Sequence, residues 1–152
     1  MNIFLAYATY SNSTFTAVHT LAEELQQRGH STEIMLARDV KSDNIKNADL
    51  VILASPSWDY SGQQGMPHED YETFSKNIGA DTFPGKKFAI MGLGDMNYTY
   101  FCGAVGHIEE MVAKLQGELV TESLKLDQFY IYEQENTVKI KQWAAQLAKT
   151  LS

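Results

Sequence analysis

The chain of 152 residues contains one cysteine, Cys102. A single thiol excludes an internal disulfide framework and any zinc site built on several thiolates. The four histidines, His19, His30, His68 and His107, are scattered along the sequence and read as surface residues, not as a metal set. Positive charge is scarce: 12 Lys and Arg stand against 19 Asp and Glu, giving a net charge of -7. That balance argues against nucleic acid and anionic membrane as partners and leaves basic protein surfaces as better candidates. "MNIFLAYATY" holds neither a basic leader nor a long apolar run. No secretory signal or membrane span is therefore expected, and a cytoplasmic protein is. Repeats and linkers are lacking too, and the length suits one domain over residues 1–152.

What is present is an alternation of two periods. Apolar runs at Ile3 to Tyr7, Leu50 to Ser55 and Lys87 to Gly92 read as strands buried on both faces. A more alternating stretch from Thr32 to Leu36 suits an edge, and Leu124 to Leu126 supplies a fifth strand. Between them the spacing becomes helical. Val18, Leu21, Ala22 and Leu25 form one stripe, Ile108, Met111, Val112 and Leu115 a second, and Ile140, Trp143, Ala144 and Leu147 a third. Tyr71, Phe74 and Ile78 suggest a weaker helix. Stop signals follow at Arg28-Gly29 and at Gly117, the latter for a helix ending near Gln116. This order predicts an α/β fold, a parallel sheet covered on both faces, with ligands beyond the carboxyl ends of the strands.

Three loops then become candidates. The first packs Thr9, Tyr10, Ser11, Asn12, Ser13 and Thr14 directly before an amphipathic helix. Hydroxyls and free backbone N–H groups at a positive helix end suit a phosphate; they also suit a helix with redundant N-caps. Position after the first strand favours the phosphate. Lacking Lys and Arg, the loop is no Walker motif, and lacking Cys and Arg it is no phosphatase loop. The first and third strand ends also lack the acidic cluster of a phosphorylated receiver domain.

In the second loop Trp58 sits among Pro56, Ser57 and Asp59, a polar setting for an indole unless a ligand covers it. The third, "GLGDMNYTYFCGA", spends Gly92 and Gly94 on backbone freedom. It adds Leu93 and Asp95 and crowds Tyr98, Tyr100 and Phe101 beside Cys102. Two rings on neighbouring strand ends can sandwich a flat heterocycle.

These residues resemble the flavodoxins, in their short-chain form, over essentially the whole chain. "GLGDMNYTYFCGAV" is similar to the family's isoalloxazine-binding loop almost residue for residue, and "TYSNST" matches its phosphate loop less closely. The family is itself a standing illustration of the strand-end rule for ligand position. The resemblance implies a single-domain three-layer sandwich with a five-stranded parallel sheet of order 2-1-3-4-5. It also implies non-covalently bound FMN and the function of a monomeric, low-potential one-electron carrier that is not an enzyme.

By that resemblance Thr9, Ser11, Ser13 and Thr14 hold the FMN phosphate, and Trp58 and Tyr98 cover the two flavin faces. The backbone about Gly94, Asp95 and Cys102 meets the pyrimidine edge. Asn12 stands where the family commonly has Gly, at a position of positive φ that Asn tolerates. Asp59 stands where many members have Gly, in a turn whose peptide contacts the flavin. Partners would be basic redox proteins such as flavodoxin reductases, steered by an acidic rim of Asp59, Glu69, Asp70 and Glu72. An FMN-dependent NAD(P)H or quinone reductase and a non-redox binding module are the competing readings.

Overall fold

The computed structural model describes residues 1–60, 63–95 and 102–151, without the side chains of 58–60 and 63–64. Strand β1 (Asn2–Tyr7) pairs in parallel with β2 (Ser31–Leu36) on one side and with β3 (Leu50–Tyr60) on the other. Strand β5 (Lys87–Gly94) pairs in parallel with β3 from Val51↔Phe88 to Pro56↔Leu93. The β2-β1-β3-β5 order is the one expected, and β2, whose residues are exposed or half-buried, lies at the edge.

Side chains of the central strands alternate between two cores, as the two-residue period requires. Ile3 and Leu5, Leu50 and Ile52, Ala89 and Met91 face one; Phe4 and Ala6, Val51 and Leu53, Phe88 and Ile90 face the other. Helices α1 (Ser13–Gln27) and α5 (Glu133–Thr150) cover the first face with the stripes read from the sequence. The second face is covered by α3 (Asp70–Ile78), α4 (Gly103–Lys114) and the short α2 (Ser42–Lys46), through Ile45, Tyr71, Phe74, Ile108 and Val112 among others. Each fully buried Leu or Ile contributes roughly 1.5–3 kcal/mol, so a sheet buried on both faces is the main source of stability.

Three features differ from expectation. The fifth strand position is divided: β6 (Glu118–Leu119) pairs with Lys87 and Phe88, and β7 (Leu124–Asp127) with Met91 to Gly94. Both residues of β6 are exposed, so no burial pattern marked it. A further strand, β4 (Gln63–Pro67), runs antiparallel to the extended end of β3. The sheet thus has seven strands among the described residues where five were expected. Finally, α4 ends at Lys114, and the residue in the left-handed region after it is Gln116 (φ 62), not Gly117. Gly117 is required for space: a Cβ there would lie 2.4 Å from the Phe88 ring.

No helix among the described residues is long and apolar enough to cross a membrane.

Candidate functional site

The strand order reverses between β1 and β3, and the carboxyl ends of β1, β3 and β5 open onto one cleft. Thr9, Tyr10, Ser11, Ser13 and Thr14 line it from the first loop, Pro56 and Ser57 from β3, and Leu93, Gly94, Asp95 and Cys102 from the third. Gln128 and Phe129 close it from the turn after β7. Sequence reasoning missed those last two; their only signal was position after the last strand.

The first loop leaves β1 through Ala8, whose N–H donates to the Ala54 carbonyl at 3.2 Å. Asn12 then takes φ 66 and turns the chain into α1, as expected for the residue replacing Gly. Its carbonyl accepts from the N–H and the hydroxyl of Thr16, both at 3.0 Å. Asn12 itself does not line the cleft; its contribution is this turn. Among the described residues no side-chain hydrogen bond caps the start of α1, so the hydroxyls do not act there as caps. Instead the hydroxyls of Thr9 and Thr14 are sealed from solvent and have no protein partner among the described residues, an arrangement costly without a ligand.

The second loop departs from expectation. The chain does not turn at Asp59: β3 continues to Tyr60 against β4. Between the pairs Trp58↔Met66 and Tyr60↔Gln63 the β4 strand carries one extra residue, and Gly65 takes φ 68 there. This hairpin packs on α4, where a Cβ on Gly103 would meet the Gly65 carbonyl oxygen at 2.7 Å. Ser57 Oγ accepts the Ala104 N–H at 3.0 Å and completes the joint. The side chains of Trp58 and Asp59, and the whole of Tyr98, Tyr100 and Phe101, lie outside the described residues.

In the third loop a Cβ on Gly94 would lie 2.9 Å from the Cys102 N, so β5 and the start of α4 approach too closely for a side chain there. Gly92 is not in the cleft; its missing Cβ admits Val105 of α4, which would otherwise sit 2.4 Å away. Cys102 takes φ 49 and is buried, with Sγ 3.8 Å from the Leu126 carbonyl. Burial pushes its thiol up to about 12. The native protein is therefore expected to resist alkylation by iodoacetamide at about pH 8, below that raised value, and to react fully once unfolded. Rapid native labelling would contradict this.

A polar network that the sequence did not announce braces the cleft from below. Tyr71, fully buried on α3, donates its hydroxyl to the Ala54 carbonyl at 2.8 Å and approaches that of Ala6 at 3.3 Å, tying β3 to β1 below the cleft. Burial raises its pKa, which keeps the phenol a donor. His68, expected at the surface, is buried: its N–H donates to Ser55 Oγ at 3.0 Å and its Nδ1 accepts the Asp70 N–H at 3.0 Å. The Tyr10 ring lies over the His68 imidazole with centroids 4.1 Å apart. The Tyr10 hydroxyl donates to Glu69, and that bond first of all lowers the Glu69 pKa. The bond to the ionised carboxylate is thus kept at neutral pH and lost as acid titrates Glu69 through its depressed pKa. Tyr71→Phe is expected to cost about 1 kcal/mol, read as a lower urea midpoint at unchanged m. An unchanged midpoint would show that the two carbonyls find other partners.

A family model described as flavodoxin matches residues 5–139. The flavodoxin of Nitratidesulfovibrio vulgaris strain Miyazaki F is 30% identical over 127 residues, which are 83% of this chain and 84% of that one. Oxidised flavodoxin 1 from Bacillus cereus superposes with a TM-score of 0.86 at 22% identity, covering 100% of both chains. A Fusobacterium nucleatum flavodoxin bound to flavin mononucleotide gives 0.80 at 21% identity, over 97% of each chain. With a family model spanning most of its length and a curated relative at this identity, the chain belongs to the flavodoxin family.

Proposed function

We propose that the cleft at the carboxyl ends of β1, β3 and β5 holds FMN, and that this chain works as a low-potential one-electron carrier between redox enzymes. The observation that carries the assignment is the pair of buried hydroxyls on Thr9 and Thr14, without protein partners among the described residues, beside the positive end of α1. With Ser11 and Ser13 they form a cation-free cradle for the phosphate, whose donors are neutral hydroxyls and backbone N–H groups. The close approach of Gly94 to Cys102 leaves backbone, not side chain, to meet the flat ring system. Trp58 and Tyr98 are the ring-stacking residues of this reading. Asn12 fixes the loop, and Tyr71 and His68 hold the strand ends from which it springs.

Bound FMN supplies one- and two-electron chemistry at its isoalloxazine ring. The protein's part is to seat the ring and to disfavour added negative charge on it, through the net charge of -7 and the carboxylate of Asp95 at the cleft wall. The acidic start of α3, with Glu69, Asp70 and Glu72, steers basic redox partners. The working protein is a monomer in the cytoplasm, with residues 1–152 forming one FMN domain.

Titrating apo-protein into FMN, and separately into riboflavin, tests this through flavin fluorescence. Quenching of FMN at much lower protein concentration than riboflavin is expected. Equal affinities would remove the phosphate assignment, and no quenching of either would remove the flavin site.

A further inference from the structure

The turn that closes the cleft ends in three consecutive large side chains that the fold leaves largely uncovered. Tyr130 is 50% exposed, Ile131 70% and Tyr132 45%, whereas the preceding Phe129 is buried against the cleft. This is not a loose segment. The N–H groups of Ile131 and Tyr132 both donate to the Gln128 carbonyl, and the buried Asn136 donates its amide to the carbonyls of Asp127 and Phe129 at 2.9 and 3.4 Å. The Tyr130 hydroxyl meets Thr16 Oγ1 at 3.2 Å, which pins the turn to α1. A rigid, exposed apolar cluster loses little entropy on association, which distinguishes a contact surface from a stray hydrophobe.

The first turn of the helix beside it is acidic. Glu133 and Glu135 follow at once on the exposed first turn of α5, and the next basic residue is Lys139. An apolar centre edged by carboxylates matches a surface with the opposite edge. Like charge opposes a second copy of this acidic chain, and equally an anionic lipid surface.

We propose that residues 130–135 are a docking surface for a basic redox protein, one whose redox group is exposed inside a ring of Lys and Arg, set against the wall of the FMN cleft formed by Gln128 and Phe129. The proposal rests on the electron-carrier reading above and adds where the partner sits. Ile131 and Tyr132 enter its apolar contact zone, and Glu133 and Glu135 set its orientation.

Cytochrome c, a basic protein with an exposed haem edge, is the probe. Titrated into the isotope-labelled, FMN-loaded chain at about 10 mM ionic strength, where the screening length is about 30 Å, it is expected to shift the backbone amide resonances of 130–135. The double variant Ile131→Ser with Tyr132→Ser, both exposed positions, is expected to weaken that binding about five- to tenfold. Electron transfer from the FMN-loaded chain, first reduced with dithionite and freed of excess reductant, to cytochrome c should slow in parallel, with the rate to ferricyanide unchanged. Glu133→Gln with Glu135→Gln is expected to flatten the salt dependence. Amide shifts confined to other residues, or equal affinity in the Ile131/Tyr132 variant, would overturn the docking surface while leaving the carrier function intact. A concentration-dependent dimer that this variant abolishes would make the patch a self-contact and overturn it too. Failure to reduce either acceptor would instead sink the carrier reading, and the inference with it.

Discussion

Thr14→Val is expected to weaken FMN binding about tenfold to a hundredfold while leaving riboflavin affinity within about twofold. The Thr14 side chain is fully buried in the first turn of α1, and its hydroxyl has no protein partner among the described residues. A hydroxyl donating to a phosphate makes a charge-assisted bond worth about 1.5–3 kcal/mol, and each 1.4 kcal/mol is about tenfold in affinity. Valine keeps the shape and removes the donor. Riboflavin carries no phosphate, so the loss should be confined to FMN. Apo-protein stability is expected to move the other way, rising by up to about 1 kcal/mol, because a buried hydroxyl without a partner is itself a cost. Paired fluorescence titrations and a urea melt of the apo-protein check both signs. Parallel losses for the two ligands would mean that Thr14 shapes the loop and does not bind the phosphate.

Two identical substitutions on one helix should have opposite effects. Gly103→Ala places a Cβ 2.7 Å from the Gly65 carbonyl oxygen and 3.0 Å from its Cα, and because both atoms are backbone no side chain can yield. Such overpacking costs about 1–3 kcal/mol, or roughly 3–10 °C in melting temperature for a domain of this size. On the same helix, a Cβ on Gly106 would meet nothing within 4 Å, so Gly106→Ala is expected to gain about 0.5–1 kcal/mol from helix propensity alone. The first change also pries the β3–β4 hairpin from α4, and FMN affinity should fall with it because Ser57 and Cys102 flank that joint. Thermal melts and FMN titrations of the two variants separate the cases. A Gly103→Ala protein as stable as its parent would show that the hairpin is free to retreat.

What could be read beforehand depends on the range over which each signal acts. Ile3 to Tyr7, Leu50 to Ser55 and Lys87 to Gly92 announced central strands because burial on both faces demands an unbroken apolar run. The stripes on α1, α4 and α5 were equally legible, since a helix must repeat its apolar residues every turn to cover a sheet. Strand β4 and the two-residue β6 were not legible. "QQGMP" and "EL" have no core to mark them, and they pair only because β3 and β5 already offer an edge.

The same division runs through the site. Local chemistry at Thr9 to Thr14 and at Gly94, Asp95 and Cys102 pointed to stretches that line the cleft, and the positive φ of Asn12 was readable from the residue itself. Gly92 and Gly117 looked like backbone-freedom glycines, yet each is small because Val105 or Phe88 occupies its side-chain space, a fact held by a residue distant in sequence or on another element. His68 looked like a surface residue until α3 folded it against Ser55. By itself, then, the sequence determined the α/β order, the helix faces and the loops that line the cleft, because these depend on period and on residue type. Only the tertiary structure decided the β3–β4 hairpin, the Tyr71 and His68 braces and the exposed 130–135 turn, because each depends on which atoms the fold brings together or leaves uncovered.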